Sequence, residues 1–213
     1  MKKFLALLCA AMLLLAIPAL ANPSISELKI TVVDAKVAPT EDDNVSAETQ
    51  GKLDDGWYVV VIPIDEEKID LVKNPDIKEV INSVNLDAEE AITPADIADK
   101  LDFGDEDKPE EEKVDLTGYD FVAGFSALAL TDGTEYYLSP ADETITTEVK
   151  ADIDQLKGVK PEDLGNYKLL FVNGESGKAE LVDLDAEKFD SEKGELEQKF
   201  PFFGPFALIQ KVA

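Results

Sequence analysis

The chain has 213 residues and a formal net charge of −26 at neutral pH, with 46 acidic residues against 20 basic ones. All basic residues are lysines, and the sequence contains no histidine. Such a surface repels nucleic acids and anionic lipids, and it lacks the arginine that makes bidentate contacts with phosphate. We therefore expect no nucleic-acid partner. Because the sequence has no histidine and Cys9 is its single cysteine, the composition also excludes zinc sites, thiol catalysis and histidine-based triads in the mature protein.

Residues 1–21 have the features of a secretory signal peptide. Lys2 and Lys3 precede an apolar run over residues 4–17, and small residues lead up to Ala21. The run is shorter than the roughly 20 residues that a membrane-spanning helix needs. We expect cleavage after Ala21, loss of Cys9 with the leader, and export without a transmembrane segment. The expected location is the periplasm, the cell surface or the medium.

The mature sequence begins with two predicted strands. Residues 26–37 (SELKITVVDAKV) alternate in polarity, and residues 57–64 (WYVVVIPI) are dense in aromatic and β-branched side chains. An acidic connection over residues 39–56 separates the two strands, and its Gly56 favours a turn. Both segments are therefore predicted to belong to a β-rich fold.

Two short helices are predicted in the next part of the chain. Asn74 and Thr93 each precede a proline, which is typical of an N-cap followed by proline at the first helical position. The pattern predicts helices over residues 75–83 and 94–101, with apolar stripes that pack on a sheet edge. The acidic stretch 102–113 is too charged to be buried and is predicted to be an exposed loop.

Residues 121–131 (FVAGFSALALT) form one of two long uncharged runs in the mature sequence and predict a central strand. Both faces of this strand are apolar, so both should be covered by other parts of the protein. Gly124 suggests a bulge or a close approach of another backbone. The first face contains Tyr119, Phe121, Ala123, Phe125, Ala127 and Ala129; the second contains Val122, Leu128 and Leu130.

The C-terminal part is predicted to be a series of short strands joined by turns. Asp132 and Gly133 favour a hairpin that returns through residues 135–138, and residues 144–149 predict a further strand. A link over residues 152–164 precedes a meander of regular strands and glycine turns. Its predicted strands are 167–172, 179–185, 188–190, 195–200 and 205–212. The predicted fold is mainly β, with antiparallel, sandwich-like sheets and two short helices inserted in the first half.

An internal repeat is one interpretation of this organisation. The second uncharged run, residues 200–210 (FPFFGPFALIQ), aligns with residues 120–130 through a shared glycine and an Ala-Leu pair. Further upstream, residues 57–62 correspond to residues 167–172. The chain would then contain two diverged β-modules, residues 22–130 and residues 131–213. The alternative is one continuous sheet system.

The C-terminal sequence carries a resemblance to a known class of module. The segments YKLLFVNGESGKAELVD and GPFALI resemble the closing strands of extracellular β-sandwich modules in exported proteins of anaerobic bacteria. The resemblance covers the last strands alone and contains no invariant chemical motif. It implies a secreted or surface module for binding or structure, and it transfers no active site.

The abundant carboxylates make calcium the metal ion that this protein would bind most readily, since calcium prefers hard oxygen donors. No acidic cluster matches the calcium-loop pattern, and acidity also serves solubility. We therefore predict no cofactor, with calcium as the alternative. The candidate calcium ligands are Asp42, Asp43, Asp105, Asp107, Asp183 and Asp185.

Four aromatic residues are candidates for stacking against a ligand: Trp57, Tyr58, Tyr136 and Tyr137. The competing interpretation places Trp57 in the core. The GFSAL sequence around Ser126 lacks the second glycine of a nucleophile elbow, and without histidine its serine cannot be activated in the usual way. No catalytic residue is predicted.

The sequence therefore favours an exported, non-enzymatic binding or structural protein of the bacterial cell exterior. Its partner would be a protein or a glycan at that exterior. The alternative is a carbohydrate-dependent or calcium-dependent binding module. A hydrolase that uses two carboxylates about 5 to 10 Å apart is a third and weaker hypothesis.

Overall fold

The computed structural model describes residues 27–38, 45–46, 52, 56–85, 92–104, 108–109, 113–138 and 146–212. Over these residues the fold is mainly β, with two antiparallel sheets in a sandwich-like arrangement, as predicted. The predicted signal peptide lies outside the described residues, as do most of the acidic segments. No helix in the described ranges is long and apolar enough to cross a membrane.

Twelve strands and one α-helix form the described part of the fold. The strands are β1 (Ile30–Ala38), β2 (Val45–Ser46), β3 (Tyr58–Pro63), β4 (Tyr119–Phe121), β5 (Ser126–Thr131), β6 (Tyr136–Tyr137), β7 (Thr146–Ile153), β8 (Tyr167–Val172), β9 (Ala179–Asp183), β10 (Phe189–Asp190), β11 (Glu195–Phe200) and β12 (Gly204–Lys211). The helix is α1 (Pro75–Asn85), and 3-10 helices span Ile69–Leu71, Pro94–Lys100, Asp154–Leu156, Pro161–Asn166 and Ala186–Lys188.

The strands are divided between two sheets. The outer sheet has the order β10-β11-β7-β1-β2. The central sheet has the order β3-β5-β12-β8-β9, with β4 paired to β12 and β6 paired to β5. Every pairing between named strands in the described residues is antiparallel. The predicted C-terminal meander is therefore split, because β8, β9 and β12 join the central sheet while β10 and β11 join the outer one.

The central sheet is covered on both faces. One face packs against the outer sheet, where Phe171 of β8 and Phe206 of β12 meet Phe200 of β11. The other face packs against α1 and the 3-10 helix Pro94–Lys100. The apolar stripe of α1 is fully buried there, and each such side chain contributes about 1.5 to 3 kcal/mol by leaving water. The stripe consists of Ile77, Val80, Ile81 and Val84.

The predicted central strand over residues 121–131 is interrupted. Its two pieces, β4 and β5, both pair with β12, but residues 122–125 lie opposite only residues 207–208. Since four residues face two, the backbone bulges near Gly124, as expected. Within this interruption the Val122 N–H donates to the Leu208 carbonyl at 2.9 Å. The assignment of Ala123 to the face of Phe121 is wrong, since Ala123 packs between the sheets while Phe121 packs towards the helices. Both faces are nevertheless buried, as predicted.

The helix starts follow the predicted capping. Asn74 Oδ1 accepts hydrogen bonds from the backbone N–H groups of Asp76 at 3.0 Å and Ile77 at 3.3 Å, which caps α1. Thr93 donates through its backbone N–H and its hydroxyl to the Asp96 carboxylate, at 2.8 and 2.7 Å. The second helix is a 3-10 helix over Pro94–Lys100 rather than an α-helix.

Four strands of the central sheet are arranged symmetrically. Strands β5 and β12, which carry the two similar uncharged runs, are neighbours, and β3 and β8 flank them on either side. In the outer sheet, β1 pairs with β7 in the same antiparallel sense. Each sheet thus combines strands from both predicted modules, and the boundary at residue 130 stays a prediction.

Candidate ligand-binding surface

Three of the four predicted stacking residues are exposed. The exposed fractions are 37% for Tyr58, 39% for Tyr136 and 44% for Tyr137, whereas Trp57 is half-buried. In the part of the chain that the structure describes, the one other exposed large apolar side chain is Val212. Large aromatic side chains are otherwise used for packing, so this exposed group is the candidate for ligand contact.

Strand register places Tyr58 and Tyr136 on the same face of the central sheet. Tyr58 of β3 pairs with Thr131 of β5, and Thr131 pairs on its other side with Tyr136 of β6. Residues that pair directly across strands project to one face. This face also carries Val60 and Ile62, which pack towards the helices. The two tyrosines therefore flank Thr131 in a row that crosses three strands.

Trp57 and Tyr137 form a separate pair on the opposite face. Their ring centroids are 5.4 Å apart at an interplanar angle of 68°, which is an edge-to-face contact. The Tyr137 hydroxyl donates to Glu135 Oε2 at 2.9 Å, and this hydrogen bond to a carboxylate raises the pKa of Tyr137. Trp57 packs against the core between the sheets. This pair supports the hairpin, and Trp57 fits the core interpretation better than the stacking one.

Tyr136 lines two clefts of about 310 Å³ each. Together with Tyr58, which lines neither cleft but pairs with the cleft residue Thr131, they form a surface that we call the tyrosine groove. One cleft extends from Tyr136 across Thr131 to β3, and the other extends to the β8–β9 turn. The lining of the first cleft includes Val60, Val61, Ile62, Gly133 and Thr134. The lining of the second includes Leu71, Lys73, Tyr137, Leu138, Gly174 and Glu175.

The β5–β6 hairpin that carries Tyr136 is held by its own turn. Asp132 Oδ1 accepts from the Thr134 N–H at 2.8 Å, the Thr134 hydroxyl at 2.6 Å and the Glu135 N–H at 3.2 Å. These hydrogen bonds, first of all the one from the Thr134 hydroxyl, lower the pKa of Asp132. The Gly133 N–H donates to Thr131 Oγ1 at 3.0 Å. The hairpin is therefore ordered before any ligand binds.

The lysines near the groove are already engaged. Lys73 Nζ donates to the Asp70 carbonyl at 2.9 Å, and Lys68, next to Tyr136, forms an ion pair with Asp65 at 3.0 Å. The ion pair raises the pKa of Lys68 and lowers that of Asp65, mainly through their mutual hydrogen bond. The exposed Glu175 adds a negative charge at the far end. The groove thus offers little attraction to anions.

The β8–β9 turn forms one end of the groove because it is fixed to the start of α1. The Gly174 carbonyl accepts from the N–H groups of Lys73 and Asn74 at 2.8 Å each. Asn173 Oδ1 accepts from the N–H groups of Glu175 and Ser176 at 3.0 Å. Sequence reasoning missed this end of the groove. The pattern of strands and glycine turns predicts a turn between β8 and β9, but nothing local indicates which helix that turn contacts.

The two predicted calcium ligands within the described residues, Asp183 and Asp185, each interact with another group of the protein. Asp183 forms an ion pair with Lys168, and Asp185 Oδ1 accepts from the Glu187 N–H at 3.0 Å. In the described ranges, no three acidic side chains are grouped so as to hold a metal ion. Four candidates lie outside the described residues: Asp42, Asp43, Asp105 and Asp107. Calcium binding stays a prediction.

The geometry gives little support to the hypothesis that the protein is a hydrolase. Ser126 is 1% exposed and lies between Pro63 and Phe206 in the central sheet. Glu27 and Asp154 line one cleft of about 360 Å³ together with residues of β1 and β3. The hydrogen bond from Lys157 lowers the pKa of Asp154, whereas a general acid needs a raised one.

No protein-family model matches the chain, and no curated protein or solved structure is significantly similar to it. The resemblance of the C-terminal strands to extracellular β-sandwich modules therefore stays a prediction. What the protein binds is therefore inferred from the geometry of the tyrosine groove.

Proposed function

We propose that this chain is an exported, non-enzymatic binding protein of the bacterial cell exterior, and that it binds its ligand in the tyrosine groove. The observation that supports this most strongly is the row Tyr58, Thr131 and Tyr136. Two large aromatic rings project from one sheet face into solvent, beside clefts on an ordered hairpin. The exposed rings are available for contact with a ligand at little cost in ordering.

The chemistry of the groove supports binding rather than catalysis. Apart from tyrosines, the ionisable residues that line it in the described part of the chain are Lys73 and Glu175. Lys73 donates to a backbone carbonyl, and one carboxylate does not make the acid–base pair that glycoside hydrolysis needs. The apolar floor and exposed rings instead provide area for contact, which is the usual composition of a binding cleft.

A sedimentation experiment tests the proposal without a named ligand. The mature protein would be mixed with cell envelopes of the source organism and centrifuged. We expect the wild-type protein to co-sediment and the double variant Tyr58→Ala/Tyr136→Ala to stay largely in the supernatant. Val212→Ala is the matched control, because Val212 is 45% exposed and follows β12, outside the residues that line the groove. Equal sedimentation of all three proteins, or of none, would contradict the proposal.

A further inference from the structure

We infer that the ligand of the tyrosine groove is an uncharged polysaccharide, with one sugar ring stacked on Tyr58 and another on Tyr136. This inference rests on the proposed function and names the ligand class for the same surface. It depends on four properties of the groove: ring spacing, charge, the mixture of apolar and polar groups, and the small exposed area.

The spacing of the two rings suits a linear sugar chain. Tyr58 and Tyr136 pair with opposite sides of Thr131, so two strand spacings separate them. That distance is about 10 Å, which is close to the length of a disaccharide unit. Two rings on one face of a sheet, with a cleft across the strand between them, form an open track rather than a closed pocket.

The charge of the groove favours an uncharged chain over an anionic one. The formal net charge of the protein is −26, and Glu175 and Asp132 add carboxylates at or beside the groove. Lys68 is neutralised by its ion pair with Asp65. Among the described residues, the one lysine of the lining, Lys73, is outnumbered by the carboxylates of Glu175 and Asp132, so a nucleic acid or an acidic polysaccharide would meet net repulsion.

The groove combines apolar and polar groups in the way that a sugar ring requires. The apolar C–H face of a pyranose can pack on a tyrosine ring, while its hydroxyl groups need hydrogen-bond partners at the ring edge. Val60 and Ile62 give an apolar floor, and the hydroxyl groups of Thr131 and Thr134 lie among them.

The exposed apolar area is too small for a stable protein interface. Such interfaces bury about 800 Å² on each partner. Among the described residues, however, the exposed large apolar residues on the groove are three partly covered tyrosines. A strip of sugar rings needs only the faces of two side chains. The same surface therefore favours a glycan over a protein partner.

Calorimetric titration with defined oligosaccharides tests this inference. The probes are uncharged oligomers of glucose, mannose, xylose and N-acetylglucosamine with one to six rings, and polygalacturonate as the anionic comparison. We expect at least one uncharged series to bind, with affinity that rises steeply between one and three rings and then levels off. Tyr58→Ala and Tyr136→Ala should each lower that affinity by about tenfold.

Two control sets separate ring stacking from other effects. Tyr58→Phe and Tyr136→Phe keep the rings and should stay within about twofold of the wild-type affinity, because stacking needs the ring and not the hydroxyl. Val212→Ala should bind as the wild type does. Melting temperatures of all variants establish that they are folded.

Several outcomes would overturn the inference. These are binding to polygalacturonate alone, an affinity independent of chain length, alanine variants that bind normally, or no binding to any uncharged series. If envelopes still bind through the tyrosines while every uncharged series fails, the proposed function stands and the polysaccharide assignment is wrong. If envelope binding itself does not depend on the tyrosines, the proposed function fails first.

Discussion

The side chain of Asn85 forms a two-way hydrogen bond with the backbone of Phe125. The Phe125 N–H donates to Asn85 Oδ1 at 2.7 Å, and Asn85 Nδ2 donates to the Phe125 carbonyl at 2.9 Å. The same Nδ2 donates to the Ile64 carbonyl at 2.9 Å. Because the β3–β5 ladder ends at the pair of Pro63 and Ser126, the last residue of α1 continues that ladder with its side chain. This amide joins the helical layer to the central sheet.

Replacing Asn85 should therefore destabilise the whole fold. Asn85→Ala leaves the backbone groups of Phe125 and Ile64 without these partners in a partly buried site. We expect a loss of about 3 kcal/mol in the free energy of unfolding, measured by urea denaturation. Ser83→Ala on the same helix is the control, because Ser83 donates only to the exposed Glu79 carbonyl at 2.8 Å. Equal stability of the two variants would show that the Asn85 amide does not join the layers.

Substitution of two glycines by alanine distinguishes the cost of a strained backbone from the cost of a steric clash. Gly133 has φ +93° with nothing near an added Cβ, whereas Gly194 has φ +68° and an added Cβ would lie 2.5 Å from the Ile153 carbonyl oxygen. Gly133→Ala should cost about 1 to 2 kcal/mol from the left-handed backbone alone. Gly194→Ala should cost about 1 to 3 kcal/mol more, because the backbone around Ile153 must shift. Thermal unfolding measures both, and a larger loss at Gly133 would contradict the described turn at Gly194.

A lysine between two glutamates on the outer sheet should make stability depend on pH. Lys188 Nζ lies 3.0 Å from Glu148 Oε1 and 2.8 Å from Glu197 Oε1. Its hydrogen bond lowers the pKa of Glu148 from its ordinary value of 4.5. The stabilisation is therefore fully present above pH 4.5 and is lost as the pH falls through the lowered pKa.

The substitution Lys188→Met tests this pH dependence. The variant should be less stable than the wild type at pH 7, and the difference should disappear in acid once Glu148 is protonated. Lys160→Met is the control, since Lys160 and Glu162 are 4.0 Å apart with side chains 70% and 71% exposed, and exposed pairs contribute little. A difference between wild type and Lys188→Met that is constant from pH 7 to pH 3 would exclude the linkage to Glu148.

Local features of the fold could be predicted because local chemistry determines them. The prolines after Asn74 and Thr93 predicted both helix starts, and alternation with glycine turns predicted β8, β11 and β12 to within one residue. The interruption before β5 is different in kind. It depends on the length of β12 opposite residues 122–125 and on the Asn85 amide, and neither can be inferred from the run itself.

The same distinction applies to the candidate site. Tyr58 and Tyr136 could be predicted as candidate ligand contacts because aromatic residues in strands can stack against a ligand. Their shared face depends on Thr131 pairing with both strands, which is a matter of register between segments more than 70 residues apart. Register between distant strands is set by packing of the complete sheet. For the same reason, the sequence does not predict which strands belong to which of the two sheets.

Tyrosine footprinting tests the central claim most directly. The mature protein would be treated with a tyrosine-selective nitrating reagent in the presence and absence of cell envelopes, and each tyrosine would be quantified by peptide mass spectrometry. Tyr167, half-buried on β8 and outside the groove, serves as the internal reference. We predict that envelopes slow nitration of Tyr58 and Tyr136 and leave Tyr167 unchanged. Unchanged rates at Tyr58 and Tyr136 while the protein is bound would contradict a binding role for the tyrosine groove.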